Sequence, residues 1–359
     1  MDELFERKDE HIKIAVEKNV ELVGESLLDD VYLIHYACSE VAPSEVDLST
    51  LFLGRRFRAP IVIEALTGGT PLGKKINAIL ADVAEEYGVP IGVGSQRIAI
   101  EKSELEDSFK VVREKAPSAF IIANIGAAQL AGEKGFEYAF RAVEMLDADA
   151  LAVHLNLLHE LIQVKGDSSF KGLLGKIKVL SKELGVPIIA KEVGYGISRE
   201  AALALSEAGV SAIDVAGKGG TCWNIIESIR AEKRGNILKK RLAECFKEWG
   251  MPTAISILEI RSVLPKIPLI GSGGVRSGLD VAKVLALGAD LGGMALPFLK
   301  HAYSGGLEAV KNYLEIVLLE LRIAIALTGC RSIREFREKE VYVVSDRILS
   351  WLKQRGISL

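Results

Sequence analysis

The sequence predicts a (β/α)8 barrel, that is a TIM barrel in the α/β class, preceded by an N-terminal extension. Eight short apolar runs occur in series and predict eight strands, and most intervals between them carry a helical pattern. The runs are apolar along their length rather than alternating, as in parallel strands covered on both faces. Successive runs begin 23–37 residues apart in six of the seven intervals, which suits one strand and one helix.

The eight predicted strands follow one another in the middle and C-terminal parts of the chain. In order they span residues 60–66, 91–95, 120–124, 150–154, 187–191, 212–216, 268–272 and 291–296. Helical patterns lie between most of them, at residues 76–87, 139–146, 177–184, 200–208 and 279–287. The long interval between Gly217 and Pro268 predicts an insertion, charged over residues 230–240, before a helix that begins near Thr253.

These elements divide the chain into three predicted parts. They are an extension over residues 1–55 that contributes to the substrate site, a barrel over residues 56–340 and a C-terminal helix over residues 341–359. A strand count does not prove that a sheet closes, so an open doubly wound sheet is the alternative architecture. A closed barrel would carry its active site at the ends of the strands and in the loops that follow them.

Composition argues against several classes of protein. The 359 residues include 45 Lys and Arg against 48 Asp and Glu, so the basic excess typical of nucleic-acid-binding proteins is missing. No run of 18 apolar residues predicts a membrane span, and the charged N-terminus does not resemble a signal peptide, so we expect a cytoplasmic protein. The four cysteines have no metal-ligand spacing, which predicts reduced thiols and no structural zinc.

Polar residues stand at the ends of most predicted strands. In chain order they are Thr67, Ser95, Gln96, Arg97, Asn124, His154, Asn156, Lys191, Thr221 and Ser272. The ends of barrel strands converge on one mouth, so we expect these side chains to surround a common site.

Glycine-rich segments follow the sixth and seventh predicted strands and occupy the eighth. They span residues 217–221, 271–278 and 292–296. Barrels often bind phosphate at this place through backbone N–H groups and a helix N-terminus, and Arg276 would add a positive charge. The alternative is a set of tight turns that need glycine only for its backbone freedom.

Lys191 closes the fifth predicted strand. A lysine at a barrel strand end can form a Schiff base, stabilise an oxyanion or hold the negative charge of a reduced flavin. The alternative is a buried ion pair with Glu64 or Asp214.

A cluster of cations at the N-terminus predicts an anion site. Arg7, Lys8 and His11 lie within five residues, and Arg97 follows the second predicted strand. Together they could clamp a diphosphate, whereas the alternative is the solvated start of a helix.

His154, Asn156, His159 and Glu160 follow the fourth predicted strand. Their spacing fits no known zinc pattern. A single glutamate with waters and substrate phosphates suits Mg²⁺ better, which predicts magnesium at Glu160. His159 as an ordinary loop residue is the alternative.

Ten short motifs, in the order in which they occur, resemble those of the type 2 isopentenyl-diphosphate delta-isomerases. They run from residue 7 to about residue 329. The motifs are Arg7-Lys8-x-Glu10-His11, Leu66-Thr67-Gly68-Gly69, Gly94-Ser95-Gln96-Arg97, Asn124-Ile125-Gly126, His154-Leu155-Asn156, Lys191-Glu192-Val193-Gly194, Gly219-Gly220-Thr221, Trp249-Gly250-x-Pro252-Thr253, Ser272-Gly273-Gly274-Val275-Arg276 and Gly278-Leu279-Asp280-Val281-Ala282-Lys283. Several are loose singly, but ten together are specific.

The resemblance implies an FMN-dependent TIM-barrel enzyme that interconverts isopentenyl and dimethylallyl diphosphate in isoprenoid biosynthesis. Such enzymes use Mg²⁺, need their flavin reduced, commonly by NAD(P)H, and catalyse no net redox change. They commonly form homo-oligomers, as tetramers or larger assemblies. The resemblance therefore implies a small-molecule diphosphate substrate, with no nucleic acid and no membrane as partner.

The same resemblance implies which residues meet each ligand. For the flavin these are Ala65, Leu66, Thr67, Ser95, Asn124, Lys191 and Thr221, and for its phosphate Gly273, Gly274, Arg276, Ala295 and Leu296. For the diphosphate they are Arg7, Lys8, His11, Ser95, Gln96, Arg97 and His159. Glu160 matches the magnesium ligand, and the catalytic residues implied are His159, Lys191, His154 and Asn156.

Three positions depart from the family pattern. His159 stands where the family has a glutamine that contacts the reactive end of the substrate. Histidine can donate and accept protons near neutral pH and could take over this role. Glu64 occupies a strand where a small or neutral side chain is expected, and Cys222 stands where a smaller residue is usual. A pairing of Glu64 with Lys191 would change the electrostatics beneath the flavin.

The mechanism implied is an allylic proton shift over reduced FMN, in which one proton is added to the alkene and another is removed two carbons away. Two alternatives stay open. A flavin-dependent oxidoreductase of another small substrate shares the phosphate end of the barrel, but hydride abstraction from a hydroxy acid needs a histidine beside Arg276, and none is there. The second alternative is an FMN-binding homologue that lacks isomerase activity because His159 replaces the family glutamine.

Overall fold

Eight parallel strands close into a barrel in the computed structural model, which describes residues 3–163, 166 and 169–358. The described residues form twelve strands, eight in the barrel and four in two small sheets: β1 (Val31–Leu33), β2 (Thr50–Phe52), β3 (Arg55–Phe57), β4 (Ile61–Ile63), β5 (Ile91–Gly92), β6 (Ile121–Gly126), β7 (Ala150–His154), β8 (Ile188–Lys191), β9 (Ala212–Asp214), β10 (Leu269–Ser272), β11 (Leu291–Met294) and β12 (Tyr342–Val344). The barrel order is β10-β11-β4-β5-β6-β7-β8-β9. The predicted fold class is therefore confirmed.

Helices surround the barrel and cover its mouth. They are α1 (Glu3–Glu17), α2 (Pro71–Tyr87), α3 (Arg97–Glu101), α4 (Asp107–Lys115), α5 (Ala127–Ala131), α6 (Gly135–Leu146), α7 (Leu157–Ile162), α8 (Leu173–Glu183), α9 (Arg199–Glu207), α10 (Trp223–Lys233), α11 (Ile237–Cys245), α12 (Thr253–Val263), α13 (Gly278–Ala286), α14 (Leu296–Ala326), α15 (Ile333–Glu338) and α16 (Asp346–Gln354). Within the described residues no helix is long and apolar enough to cross a membrane.

The barrel closes at β4, the first barrel strand in the chain, because β4 pairs with a strand on each side. Ile63 lies beside Ile91 of β5 on one side and beside Met294 of β11 on the other. The sheet therefore has no free edge, which excludes the open doubly wound alternative. All eight predicted strands occur, but several are shorter at the mouth because the chain turns into loops there. Gly94, for example, donates its N–H to the carbonyl of Thr67 at 3.0 Å.

Large side chains close the end of the barrel opposite the mouth. Val62, Ile189 and Ile270 point into the barrel from three of its strands and are buried. The β2–β3 hairpin packs beneath them, with the Phe57 ring edge-on to the Phe120 ring at 5.6 Å between centroids. Because this end is filled, a ligand can enter only from the mouth.

Segments outside the regular strand–helix repeat meet above the barrel. Helix α1 of the N-terminal extension contacts α10 and α14. The long interval before β10 contains α10 and α11 and then α12, which begins at Thr253 as predicted. At the side of the molecule, β1 pairs antiparallel with β12, so that Val31 lies beside Val344. Helices α1 and α10 thus form a roof over the mouth.

Candidate active site

A cavity lies at the mouth, and all eight barrel strands contribute to its wall. Going round the barrel, the strand-end residues are Glu64, Ser95, Asn124, His154, Lys191, Ala216, Ser272 and Gly293. The roof contributes Arg7, Lys8 and His11 from α1 and Trp223 from α10. The cavity therefore combines a polar floor with a roof that carries positive charge.

The fold brings almost all the predicted site residues together around this cavity. Those that line it are Arg7, Lys8, His11, Ala65, Leu66, Thr67, Ser95, Arg97, Asn124, His154, Asn156, His159, Glu160, Lys191, Thr221, Gly273, Gly274, Arg276, Ala295 and Leu296. They come from distant parts of the chain, so their convergence results from barrel closure.

Gln96 is the exception among the predicted residues. Its side chain is buried on the far side of the loop, where the amide donates to the carbonyl of Ala142 at 2.9 Å. Its Oε1 atom accepts the backbone N–H of Asn124 at 2.8 Å. This placement does not support the predicted contact with substrate, because both ends of the Gln96 amide are used to hold its own segment to α6 and β6.

Lys191 sits on the floor between two carboxylates. Its Nζ atom lies 2.8 Å from Glu64 Oε2 and also contacts Asp214 Oδ2. Burial alone would lower the pKa of Lys191, but the charges of Asp214 and Glu64 raise it above its ordinary value. Lys191 therefore stays protonated. The ion pair considered from the sequence is thus present, and Lys191 also lines the cavity, so its role towards a ligand stays a prediction.

The glycine-rich loops form a cradle at the phosphate end that side chains would fill. Gly219, Gly273 and Gly274 have φ angles of 130°, 102° and 80°, a region that favours glycine. A Cβ atom on Gly220 would lie 2.7 Å from the amide nitrogen of Gly274. The N-terminus of α14 opens beside the loops at Leu296, where first-turn N–H groups lack intrahelical partners. Such a cradle fits the phosphate of FMN.

Arg276 joins these loops to each other. Its guanidinium donates to the carbonyls of Gly274 at 2.6 Å and Gly219 at 2.7 Å. Its Nε atom pairs with Glu21 at 2.9 Å, and Lys300 pairs with the second oxygen of Glu21 at 3.1 Å. Arg276 thus stabilises the cradle as well as adding positive charge to it.

Cations of α1 reach the cavity beside Ser95. Lys8 donates to the carbonyl of Ser95 at 2.9 Å, and Arg7 donates to Gln163 Oε1 at 2.7 Å. Burial, together with the charge of Arg7, lowers the pKa of Lys8 to about 7. Arg97, the first residue of α3, pairs with Glu101 at 2.9 Å. The three cations on one wall suit an anionic substrate group.

An oxygen-rich corner lies near the end of β7. Asn156 donates to Glu160 Oε1 at 2.8 Å, and the Oδ1 atom of Asn156 is buried without a hydrogen-bond partner. His154 Nδ1 lies 2.7 Å from Asn124 Oδ1, and burial lowers the pKa of His154 to about 3, so it is neutral. Carboxylate and amide oxygens are the ligands that Mg²⁺ prefers, and Glu160 with Asn156 fits that ion.

Within the roof, one carboxylate contacts two histidines and an arginine. Glu227 Oε1 lies 2.9 Å from His11 Nε2 and 3.2 Å from His159 Nε2. Arg230 donates to both oxygens of Glu227, at 3.0 and 2.8 Å. Burial raises the pKa of Glu227, but the hydrogen bonds of the two histidines outweigh this effect and hold the pKa well below its ordinary value. Burial lowers the pKa of His11 to about 4, which leaves that ring neutral.

The ring nitrogen of His159 has a partner in either protonation state. Its Nε2 atom faces Glu227 Oε1, which only accepts, and also lies 3.0 Å from Gln163 Nε2, which only donates. The amide of Gln163 is oriented by Arg7, whose guanidinium donates to its oxygen. Trp223 stacks on the imidazole with 4.7 Å between ring centroids. His159 is thus buried and held in place rather than being an ordinary loop residue.

The donor atoms of His11, His159 and Glu227 lie within 4.8 Å of one another, a spacing that a metal ion could bridge. Arg230, however, already donates to both oxygens of the carboxylate. A cation beside Glu227 would have to displace this buried guanidinium. The cluster therefore fits a hydrogen-bond network better than a metal centre.

Sequence reasoning missed the members of this network that lie on α10. Trp223, Glu227 and Arg230 occupy positions i, i+4 and i+7 and so share one face of a helix. The signal available in the sequence was a glutamate and an arginine on the same helix face as a tryptophan, within the predicted insertion. What the sequence does not show is that this face turns towards the barrel mouth.

Comparison with known proteins gives the family. Residues 173–343 match the family described as FMN-dependent dehydrogenase. An isopentenyl-diphosphate delta-isomerase from Methanococcoides burtonii is 49% identical over 98% of this chain and 95% of that protein. Proteins of the same name from Pyrobaculum islandicum and Archaeoglobus fulgidus are 48% and 47% identical, each over 98% of this chain and over 98% and 99% of their own lengths.

Among solved structures, a mandelate oxidase mutant with the monooxide FMN adduct superimposes with a TM-score of 0.63 at 18% identity, covering 93% of this chain and 95% of that one. This likeness shows the barrel fold alone. The sequence relatives, which match almost from end to end, carry the assignment. The chain belongs to the type 2, FMN-dependent family of isopentenyl-diphosphate delta-isomerases.

Proposed function

We propose that this chain interconverts isopentenyl and dimethylallyl diphosphate by an allylic proton shift over reduced FMN. The main support for the proposal is that the glycine cradle, the buried Lys191 and the cations of α1 all line the same cavity. The cradle suits a phosphate, and the cationic wall suits a second, separate anion. The reaction adds one proton to the alkene and removes another two carbons away, so electrons are not consumed.

The flavin would be held along the floor and in the cradle. Ring contacts are assigned to Ala65, Leu66, Thr67, Ser95, Asn124, Lys191 and Thr221, and phosphate contacts to Gly273, Gly274, Arg276, Ala295 and Leu296. When bound and reduced, FMN supplies an electron-rich ring that exchanges a proton and stabilises developing positive charge. Lys191 would favour the anionic reduced form, because its ammonium is buried where charge interactions are strong.

The diphosphate would be held opposite the flavin phosphate. Arg7, Lys8 and Arg97 supply positive charge, and His11 and Ser95 lie beside them. Mg²⁺ would bind at Glu160 together with substrate phosphate oxygens and water, with Asn156 orienting the carboxylate. These contacts fix the alkene relative to the barrel floor, which is the main contribution a protein can make to a proton shift.

His159 would carry a proton at the reactive end of the substrate. Its Nε2 atom has one bonding direction and already faces Glu227 and Gln163, so the proton exchanged with the substrate would be released and taken up at Nδ1, while Nε2–H keeps its hydrogen bond to Glu227. Both states keep a hydrogen bond, so neither needs a movement of the ring. His154 and Asn156 would assist as neutral groups beside it.

Family membership supports three further assignments. We infer NAD(P)H as the source of the electrons that reduce the flavin, a cytoplasmic location, and a homo-oligomeric state of a tetramer or larger. The first is testable by anaerobic bleaching of the flavin, and the last by light scattering of the purified protein.

The deciding experiment is anaerobic turnover of labelled isopentenyl diphosphate by the purified chain with FMN, dithionite and Mg²⁺. We expect dimethylallyl diphosphate to form without net oxidation of substrate. Net oxidation would favour the oxidoreductase alternative, although Arg276 bonds to backbone carbonyls and has no histidine beside it in the sequence. Flavin binding without turnover would favour the non-enzymatic homologue.

A further inference from the structure

Glu64 is a buried acid on the cavity floor that the proposed reaction does not use. It follows directly after β4, is 5% exposed and lines the cavity. Its Oε2 atom lies 2.8 Å from Lys191 Nζ, whereas its Oε1 atom is buried without a hydrogen-bond partner among the residues that the structure describes. A carboxylate with one bare oxygen in such a place is costly to ionise.

The charges on the floor already balance without Glu64. Asp214 contacts the ammonium of Lys191 and also accepts from Ser272 Oγ at 2.5 Å and the backbone N–H of Ala216 at 3.4 Å. Asp214 thus has hydrogen-bond donors at both of its oxygens. Lys191 and Asp214 therefore form a neutral pair, and Glu64 is a third, surplus ionisable group that adds a charge of −1 when it is ionised and nothing when it is protonated.

In the part of the chain that the structure describes, the neighbouring strands add no other charged group that faces Glu64. On the β11 side stands Gly293, where a Cβ atom would collide with Glu64 Oε1, so the glycine makes room for the carboxyl group. On the β5 side the neighbour is Ile91 next to Gly92. Among the described residues, the charged groups that bear on Glu64 are Lys191 and Asp214. His154 lies beside Lys191 on the neighbouring strand, and its ring is neutral, so it adds no charge to the floor.

We propose that Glu64 is a redox-linked proton site, which binds one proton when the flavin above it becomes reduced and anionic and releases that proton when the flavin is reoxidised. The proposal rests on the proposed function to the extent that FMN occupies this cavity. Two electrons and one proton convert oxidised FMN to its anionic reduced form, and Glu64 takes up a second proton from solvent. The floor then changes its net charge from −1 to zero as the ring gains its negative charge.

The acid strength of Glu64 suits this role. Burial and the charge of Asp214 raise its pKa to about 7, against the opposing effect of Lys191. A new negative charge nearby raises the pKa of a carboxyl group further. Proton uptake on reduction is therefore expected just above neutral pH, where Glu64 is ionised beside oxidised flavin and protonated beside reduced flavin.

The test compares wild-type holoenzyme with Glu64→Gln, which keeps the shape of the side chain and removes its proton site. The midpoint potential of bound FMN is measured by spectroelectrochemistry between pH 6 and 9. Wild type is expected to show a steeper slope just above pH 7, corresponding to two protons per two electrons, and Glu64→Gln the slope for one. Glu259→Gln is the matched control, because Glu259 is fully buried but bonds to Arg355 outside the cavity.

Equal slopes for wild type and Glu64→Gln would overturn the proposal. A second measurement needs no variant: infrared difference spectra of the wild-type holoenzyme should show the carbonyl band of a protonated carboxyl group appearing on reduction, and absence of this band would also overturn it. A wild-type chain that takes up no FMN would overturn this proposal and the proposed function together. A chain that binds FMN, shows the two-proton slope and does not isomerise would overturn the proposed function alone.

Discussion

The Nε2 atom of His159 lies 3.2 Å from Oε1 of Glu227, although the two residues are 68 positions apart. The contact joins α7, which follows β7, to α10, which belongs to the long interval before β10. Because Gln163 approaches the same nitrogen from the other side, the imidazole lies between an obligatory acceptor and an obligatory donor. This arrangement makes the role of His159 testable by side chains that keep or lose the two hydrogen bonds.

Two substitutions of His159 should show whether activity depends on its hydrogen bonds or only on the volume of its ring. His159→Gln keeps a donor for Glu227 and an acceptor for Gln163, so we expect turnover of isopentenyl diphosphate within about tenfold of wild type. His159→Phe fills the stack on Trp223 but has neither group, and we expect a loss of about 10²-fold or more, the usual size of a general acid–base contribution. Full activity of His159→Phe, measured at saturating FMN, would remove His159 from the reaction.

Lys191→Ala should weaken the binding of reduced FMN more than that of oxidised FMN. The substitution removes the only cation that contacts Glu64 and Asp214 among the described residues, and it leaves two buried acids without a counter-charge. We expect a fall in activity and a loss of stability of about 3–5 kcal/mol, typical of a broken buried ion pair. Fluorescence titration with oxidised and reduced FMN measures the two affinities, and unchanged turnover would rule out Lys191.

The KM for isopentenyl diphosphate should rise as the pH increases above about 7. The pKa of Lys8 is lowered to about 7 in the free protein, so Lys8 is charged below this pH and neutral above it. Binding of the diphosphate above pH 7 must then be accompanied by proton uptake, which weakens binding by up to about tenfold per pH unit. Lys8→Arg keeps its charge throughout and should lack this part of the rise. Identical pH profiles for the two proteins would contradict the assignment.

Gly274→Ala should lower the affinity for FMN towards that for riboflavin, which lacks the phosphate. A Cβ atom at this position would lie 2.7 Å from the carbonyl oxygen of Gly219 and would need a left-handed backbone at φ 80°. The backbone strain alone costs about 1–2 kcal/mol. Gly235→Ala is the control, since Gly235 has a φ of 66° with open space around it. Calorimetric affinities that fall equally for FMN and riboflavin would refute a phosphate cradle.

Glu160→Gln should raise the concentration of Mg²⁺ that supports half-maximal activity. An amide in place of the carboxylate removes the negative charge that holds the ion, while Asn156 can still contact the side chain. We expect a change of at least about tenfold, and addition of a chelator should abolish the activity of both proteins. An unchanged Mg²⁺ dependence would move the metal site away from Glu160.

The strands of the barrel could be predicted from the sequence, because each is a short apolar run between turn residues and this pattern is local. The strand-end rule for barrels then identified Asn124, His154 and Lys191 as neighbours although they are far apart in the chain. The possible pairing of Lys191 with Glu64 or Asp214 was likewise foreseen, and Lys191 contacts both carboxylates.

Other features depended on tertiary structure. Ser95 and Gln96 are adjacent in sequence, yet Ser95 lines the cavity and Gln96 bonds to Ala142 on the opposite side, because the chain turns at Gln96 (φ −84°, ψ 0°) into α3. The approach of Glu227 to His159 depends on where the insertion folds over the mouth, which no local pattern encodes. Short-range periodicity thus determined the elements and their order, while closure of the ring and the docking of α10 decided which polar atoms meet.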